Sequence, residues 1–575
     1  MRTTPTAALR VRRTAGYALR TRQCGYGVLI ALVILVLGSL FGLTKGLSQA
    51  TAQTKHDDHD QAVLRQAREA LVAWAALRPT GPGHLPCPDL DNDGDSEGAA
   101  CGTASTRIGR LPWKTLQLPD LRDATGERLW YAVSRCFLER PIGTELAVCP
   151  NGYRVNSDLR GALTVTGLAP QNEVIAIIFA PGTALGGQNR SAGGTNIAAN
   201  YLEGENGDAA NDIFAALTTC VAADCAGGPF NDKLLVVRAI DLFPVVENMV
   251  AKRLETEVAP MLRFYRDRWV ALGAPASFPF AVPFANPDPG LPGGAPAMAS
   301  FCGMPGQAGG LLPVSQDTAT CFSWAVTPAA VTETTAPPSF PLVTPSPCAA
   351  APAGEPDTAR FGAVKCTITY TEPPAGDPRP SVTISMPVLQ KAALALVVAD
   401  VKHGTSPAYS GTAWGNGATA VDPGTGNVAL TYSGNLPPQA PGGPYTVTIT
   451  IPVYYLPAGY QQMTGVDTSW FFNNDWYRNT YYAVVPQRLP GGAGTCTAGL
   501  DCFTVTNLVG TNNDKQAVLV LAGQALNGVT RPNATLANYF EGDNDEAAVA
   551  PAAVGTFVRQ RRSATFNDKV VVVAP

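Results

Sequence analysis

The chain repeats itself, and this constrains its architecture more than any other property. The segment LTVTGLAPQNEVIAIIFAPGTALGGQNR (163–190) is echoed by FTVTNLVGTNNDKQAVLVLAGQALNGVTR (503–531), ANYLEGENGD (199–208) by ANYFEGDNDE (537–546), and FNDKLLVV (230–237) by FNDKVVVV (566–573). Order and spacing are kept, so one design is used twice. Weaker echoes precede these: GRLPW (109–113) against GLLPV (310–314), and WYAV (130–133) against YYAV (481–484). A stretch with helical periodicity leads into each copy. Val63, Ala67, Ala70, Leu71 and Trp74 fall on one stripe before the first; Val246, Val250, Leu254, Val258, Leu262, Tyr265 and Trp269 do so before the second. Asp241 stands where it caps this second helix and Pro260 where it kinks it. Helix, irregular loops and short strands, in that order, predict an α+β unit, first over 80–240 and again over 241–575. Thr- and Val-rich alternation in VKCTITYT and PYTVTITIPVYY predicts a β-rich insertion at about 325–470 in the second copy.

Upstream of the first copy the punctuating residues vanish. No proline occurs between Pro5 and Pro79, and no glycine between Gly46 and Gly81, in a chain that holds 49 prolines and 57 glycines. One helix reaching about Leu77, over 26–79 in all, is the simplest reading. Residues 1–25 form a basic leader with six arginines (Arg2, Arg10, Arg12, Arg13, Arg20 and Arg22) and no acid, whereas residues 27–43 carry no charge. A basic flank before an apolar run keeps the N-terminus in the cytoplasm and sends the remainder outward. The 17 uncharged residues reach the lower edge of a membrane span. The expectation is a single-pass inner-membrane protein with a periplasmic or extracellular head. The rival is a secretory signal removed at the small residues Ala50 and Ala52, before Gln53.

The remainder reads as exported. Twelve of the 13 cysteines follow the apolar run, mostly as near neighbours: Cys87 and Cys101, Cys136 and Cys149, Cys220 and Cys225, Cys302 and Cys321, Cys348 and Cys366, Cys496 and Cys502. An even set of this kind points to local disulfides in an oxidising compartment. The net charge of −4 becomes −10 once the six leading arginines are set aside. Such an acidic body is the wrong partner for nucleic acid.

Basic leader, glycine, aromatic residue, apolar run and uninterrupted helix together resemble type IV prepilins and the pseudopilins of type II secretion. LPCPDLDNDGD and the turn DATGERLWY (123–131) are similar to bacterial pilin-like proteins as well. The resemblance implies cleavage by a prepilin peptidase between Gly25 and Tyr26, a membrane helix followed by tandem pilin-like α+β lobes, and assembly with other pilin or pseudopilin subunits through that helix. Members of the family that stack in a shaft carry a glutamate at the fifth mature position; here that residue is Ile30. A buried carboxylate is costly unless paired, so its absence implies a minor or tip subunit.

CPDLDNDGDSEGAAC holds the sharpest candidate site. Asp89, Asp91, Asp93 and Asp95 alternate around Gly94, as oxygen ligands alternate around the glycine of a calcium loop. The acid expected at the twelfth position is replaced by Ala100. The family resemblance implies calcium here; the plain alternative is a solvated Asp-Gly turn. The acids of the twin segments, Glu203, Glu205 and Asp208 against Glu541, Asp543 and Asp545, offer cation ligands or backbone caps. His56 and His59 lie three apart on the helix. No nucleophile, zinc-hydrolase or phosphate-loop motif is present, so the expectation is a non-enzymatic assembly subunit. Its alternatives are a surface adhesin using the insertion and, third, an exported hydrolase.

Overall fold

Helix α1 runs Cys24–Leu77. The computed structural model describes residues 24–139, 154–282, 306–312 and 468–575, apart from gaps of ten residues or fewer. Between 330 and 455 it describes the strands named below with residues 373–377, 436 and 439–441; for residues 24–50 it describes the backbone alone. The chain divides into two compact units, Met1–Ala62 and Val63–Pro575.

In the first unit α1 carries Lys55, Asp57, Asp58 and Asp60 on consecutive turns, with His56 and His59 exposed. Among the described residues no helix is long and apolar enough to cross a membrane. Charged side chains at this density each cost kilocalories in hydrocarbon. The expected membrane helix is therefore overturned, and with it the fold class built on that helix and the single-pass inner-membrane placement of a periplasmic or extracellular head. The apolar run 27–43 that prompted these expectations, like Gly25 and Tyr26, falls where side chains are outside the described part.

The second unit has mixed α+β content. Its first sheet follows the order β1-β2-β5-β7, from Ile108–Arg110 (β1), Trp130–Val133 (β2), Ala176–Ala180 (β5) and Lys233–Val237 (β7), with every pairing antiparallel. Beside it Leu163–Gly167 (β3) pairs antiparallel with Gln171–Val174 (β4) and parallel with Ile213–Ala216 (β6). Helices Ala239–Arg253 (α2) and Ala259–Ala271 (α3) follow, joined by a π-helical turn, Leu254–Val258. Pro260 lacks the N–H that would continue the regular ladder, and the widened turn before it accommodates that loss in place of a break. Asp241 does cap α2, though from inside its first turn: Oδ2 accepts the N–H of Arg238 at 3.0 Å.

Next come Gly309–Leu311 (β8) and the insertion strands: Ala330–Glu333 (β9), Val343–Pro345 (β10), Ala349–Ala351 (β11), Gly362–Glu372 (β12), Ser381–Val388 (β13), Ala395–Val397 (β14), Lys402–Thr405 (β15), Ala418–Val421 (β16), Val428–Asn435 (β17) and Gly442–Tyr455 (β18). They form two antiparallel sheets, one built on the long β12–β18 pair and one ordered β16-β17-β13-β9. After a short helix, Ser469–Asn473 (α4), come Thr480–Val484 (β19), Thr504–Thr506 (β20), Ala517–Leu521 (β21), Thr556–Val558 (β22) and Lys569–Ala574 (β23). The sheet β8-β19-β21-β23 is again fully antiparallel, and β20 again pairs parallel with β22. The sequence repeat is thus a repeat of strand order.

Alternation along β2 and β5 of the first four-stranded sheet, and along β19 and β21 of its repeat, buries both faces. Tyr131, Val133 and Ile178 of the first sheet, and Tyr482, Val484, Leu519, Val571 and Val573 of the second, share one core with Leu64, Ala67, Leu71 and Ala75 of α1 and with Val246, Val250, Leu254, Val258, Leu262 and Tyr265 of the second helical run. The residues between them face away. Trp130, Ala132, Ile177 and Phe179 pack under Tyr201, Leu202 and Phe214, while Tyr481, Ala483, Val518 and Val520 pack under Tyr539, Phe540 and Phe557. A period of two with both classes apolar reads as a continuous apolar run, which is what AIIFA and AVLVL are.

Candidate functional site

The acidic loop is folded around Asp89. Its backbone bridges to Arg110 beside the first sheet, with N–H···O distances of 3.0 and 2.8 Å, which anchors one end. The Cys87–Cys101 disulfide ties the flanks together. Asp89 is buried, and its Oδ1 accepts the N–H of Asn92 at 2.6 Å while Oδ2 accepts that of Gly94 at 2.8 Å. Gly94 sits at φ +95°, open to glycine, and any Cβ there would meet the Trp113 indole at 2.5 Å. Asp91 and Asp93 accept from Asp93 N and Asp95 N at 3.1 and 2.8 Å, and Glu97 Oε1 accepts from Leu90 N at 2.8 Å. Arg128 holds Asn92 from outside, through its carbonyl at 2.8 Å and its side-chain oxygen at 2.9 Å.

Carboxylate oxygens of Asp89, Asp91 and Glu97 converge within 4.8 Å of one another. Burial, then the nearby Asp93 and Asp91 charges, raise the Asp89 carboxyl to about 6 against the pull of its two backbone donors. Three carboxylate oxygens this close to one another, on a loop where burial chiefly makes Asp89 less acidic, are donors of the type that a hard cation takes. Of the four aspartates expected as ligands, Asp89 and Asp91 join this cluster. Asp93 and Asp95 do not; Asp95 instead faces Lys114 at 3.6 Å. Glu97 was missed by the loop template, although the strict alternation of acids at 89, 91, 93, 95 and 97 was its signal.

The twin acidic segments form a second constellation, present in both copies. In the first, Asp232 Oδ2 accepts from Glu203 N at 2.9 Å and Asn206 Nδ2 at 3.0 Å, and Glu203 Oε2 accepts in return from Asn231 N at 3.0 Å and Asp232 N at 3.2 Å. In the second, Asp568 Oδ2 accepts from Glu541 N at 2.8 Å and Asn544 Nδ2 at 3.0 Å, and Glu541 Oε2 accepts from Asn567 N at 3.0 Å. Asn206 and Asn544 each close onto the parallel pair through the backbone of Ala215 and Val558. These latches hold the turns that carry Tyr201 and Tyr539 over the outer faces of the sheets. Arg190 and Arg531 stack on those tyrosines, each 4.7 Å from the ring centre. Burial first, and then the facing Glu203 or Glu541, push Asp232 and Asp568 well above the ordinary carboxylate range.

A buried polar seam joins the copies. Glu247 of α2, fully enclosed, accepts from Ser157 Oγ at 2.9 Å, Gln524 N at 2.7 Å and Arg562 at 3.0 Å. Burial raises it to about 7 despite Arg562 and Ser157. Arg154 pairs with Asp475 at 2.9 Å, and Arg531 with Asp158 at 3.5 Å.

Cys220 bonds to Cys225 and Cys496 to Cys502. Cys136 is disulfide-bonded as well, whereas Cys149, Cys302, Cys321 and Cys348 and the side chain of Cys366 lie outside the described residues. The chain matches no protein-family model, no curated protein and no solved structure, so its sites stand on their own residues.

Proposed function

We propose that this protein is a non-enzymatic, pilin-like assembly subunit of the minor or tip kind, working by contact with other subunits through α1. The observation that carries the reading is a helix seated on one face of a four-stranded antiparallel sheet, built twice around one core. Its polar networks are committed to holding loops closed, as befits a rigid contact element. Calcium in the cluster of Asp89, Asp91 and Glu97 would stiffen the loop beside β1, a structural role for the ion. A prepilin peptidase would cut between Gly25 and Tyr26. The adhesin reading draws on one specific feature, the separate antiparallel sheets of the insertion.

Two experiments test this. Photocrosslinking from Gln53 and Gln61, exposed on α1, in the native host should capture other pilin-like subunits at low copy. Capture of none, with deletion of the insertion abolishing surface binding, would hand the lead to the adhesin. N-terminal sequencing of the mature protein should begin at Tyr26; a start at Gln53 would establish a secretory signal instead.

A further inference from the structure

Each latch leaves one aspartate oxygen without a donor, beside an asparagine side-chain oxygen, of Asn231 or Asn567, that also lacks one. Asp232 Oδ1 and Asp568 Oδ1 are buried and make no hydrogen bond to any donor, although both residues are over nine-tenths enclosed. Asp232 Oδ2, Asp568 Oδ2, Glu203 Oε2 and Glu541 Oε2 all receive N–H groups, as set out above. Glu203 Oε1 also receives Gln188 Nε2 at 2.7 Å. The side-chain neighbour of Asp232 is the Glu203 carboxyl, within hydrogen-bonding reach, and that of Asp568 is Glu541. Two carboxylates in contact offer only acceptors, so a hydrogen bond between them requires a proton. Like charges this close in a buried site do not both ionise.

We propose that each pair holds one shared proton, between Asp232 and Glu203 and between Asp568 and Glu541, and that its loss to solvent releases the tyrosine-bearing turn from the sheet. Ionisation leaves two facing carboxylates, and the nearby cations are otherwise engaged. Arg190 donates to the carbonyls of Gly182 and Asn200 and pairs with Glu127 at 3.3 Å; Arg531 donates to Gly523 and Asn538 and faces Asp158. Lys233 and Lys569 follow the aspartates directly, and burial lowers Lys569, which also answers to Glu247 and Asp568. Asp123 is committed to Gly182 N at 2.8 Å. The recurrence of the same arrangement in both copies, through residues about 336 positions apart, argues against an accident of packing. Because the folded pairs bind protons more tightly than the unfolded chain, their stability is complete below the ordinary carboxyl value of 3.8 and is lost as pH rises through the raised one.

The test compares the full chain with Asp232→Asn/Asp568→Asn. An asparagine amide keeps the acceptor and supplies the missing donor permanently. Thermal unfolding from about pH 5 to about pH 9 should show the native chain losing stability with a slope steeper by about two protons per molecule. The variant should match it at the acid end and exceed it at the alkaline end. Parallel curves would overturn the proposal. So would a native midpoint that calcium or magnesium restores at high pH and the variant does not, since the pairs would then hold a cation. Should the variant fail to fold, infrared spectra of the native chain decide. A protonated-carboxyl carbonyl band should remain after the Glu247→Gln control has removed that residue's share; its disappearance with the control would sink the idea.

Discussion

The two copies close the outer faces of their sheets with the same polar residues yet fill those faces differently. In the first, Arg110 is sandwiched between Trp130 and Tyr201, 4.6 and 4.0 Å from the ring centres, and donates to the carbonyls of Arg128 and Thr195. The position paired with the matching strand in the second copy is Leu311, in register with Tyr481 as Arg110 is with Trp130, and it packs into the core shared with the helices rather than over the outer face. Likewise Gln188, which serves Glu203, is replaced in the repeat by Val529. The glutamate, asparagines and aspartate of the latch are the same in both. The difference teaches that a buried polar network is specified atom by atom, whereas an apolar layer tolerates exchange provided its volume is filled.

Exchanging the copies' residues tests this directly. Leu311→Arg should produce the largest effect, a loss of about 3–5 kcal/mol in denaturant unfolding, because it buries a charge at a site only 2% exposed where no carbonyls have been arranged to receive it. The reverse change, Arg110→Leu, should cost about 1–3 kcal/mol through its two abandoned acceptors. Equal costs would mean that the copies are interchangeable at this position.

The seam that binds the copies should follow pH. Glu247 rises from 4.5 to about 7 on folding. Its contribution is therefore complete below the unfolded value and lost as pH climbs through about 7. Glu247→Gln keeps an acceptor and removes the titration. Relative to it, the native chain should lose about 3 kcal/mol between acid and mildly alkaline conditions; pH-independent differences would show that Glu247 stays in one protonation state.

Only the first copy carries the acidic loop. Calcium at one hundred times its dissociation constant should stabilise the native chain by about 2.7 kcal/mol. Asp91→Ala/Glu97→Ala should abolish the effect, whereas Asp95→Ala should leave it nearly whole. Identical melting curves with calcium and with chelator would leave an acidic turn. Smallest of all, Gln188→Val, which makes the first latch resemble the second, should cost about 1 kcal/mol.

Much of the duplicated framework was legible in the chain because strands of period two and helical stripes are local patterns. The stripe from Val246 to Tyr265 is fully buried as its spacing requires. The two sheets' strands coincide with the repeated segments. What was not legible depends on groups far apart in sequence. Nothing near Arg110 announces Tyr201, and the alternation of acids that runs on to Glu97 does not say which of them come together. Asp232 reads as the polar start of a strand, and its burial follows only from the turn 29 residues earlier. The membrane expectation failed for a related reason: it rested on a run whose side chains are outside the described part, while the described helix beyond it carries Lys55, Asp57, Asp58, Asp60, Arg65, Arg68 and Glu69.

The shared core also sets a timetable. The core that holds Tyr131, Val133 and Ile178 of the first sheet also takes in α2 and Val571 and Val573 of β23, which leaves the ribosome about 330 residues after β7. At translation rates of about 5–20 residues per second, that is roughly 20–70 s during which a half-built apolar surface waits for its lid. Nascent chains of this protein should therefore be clients of holding chaperones for most of their synthesis, and pauses placed between β7 and β23 should raise aggregation more than pauses placed before β1.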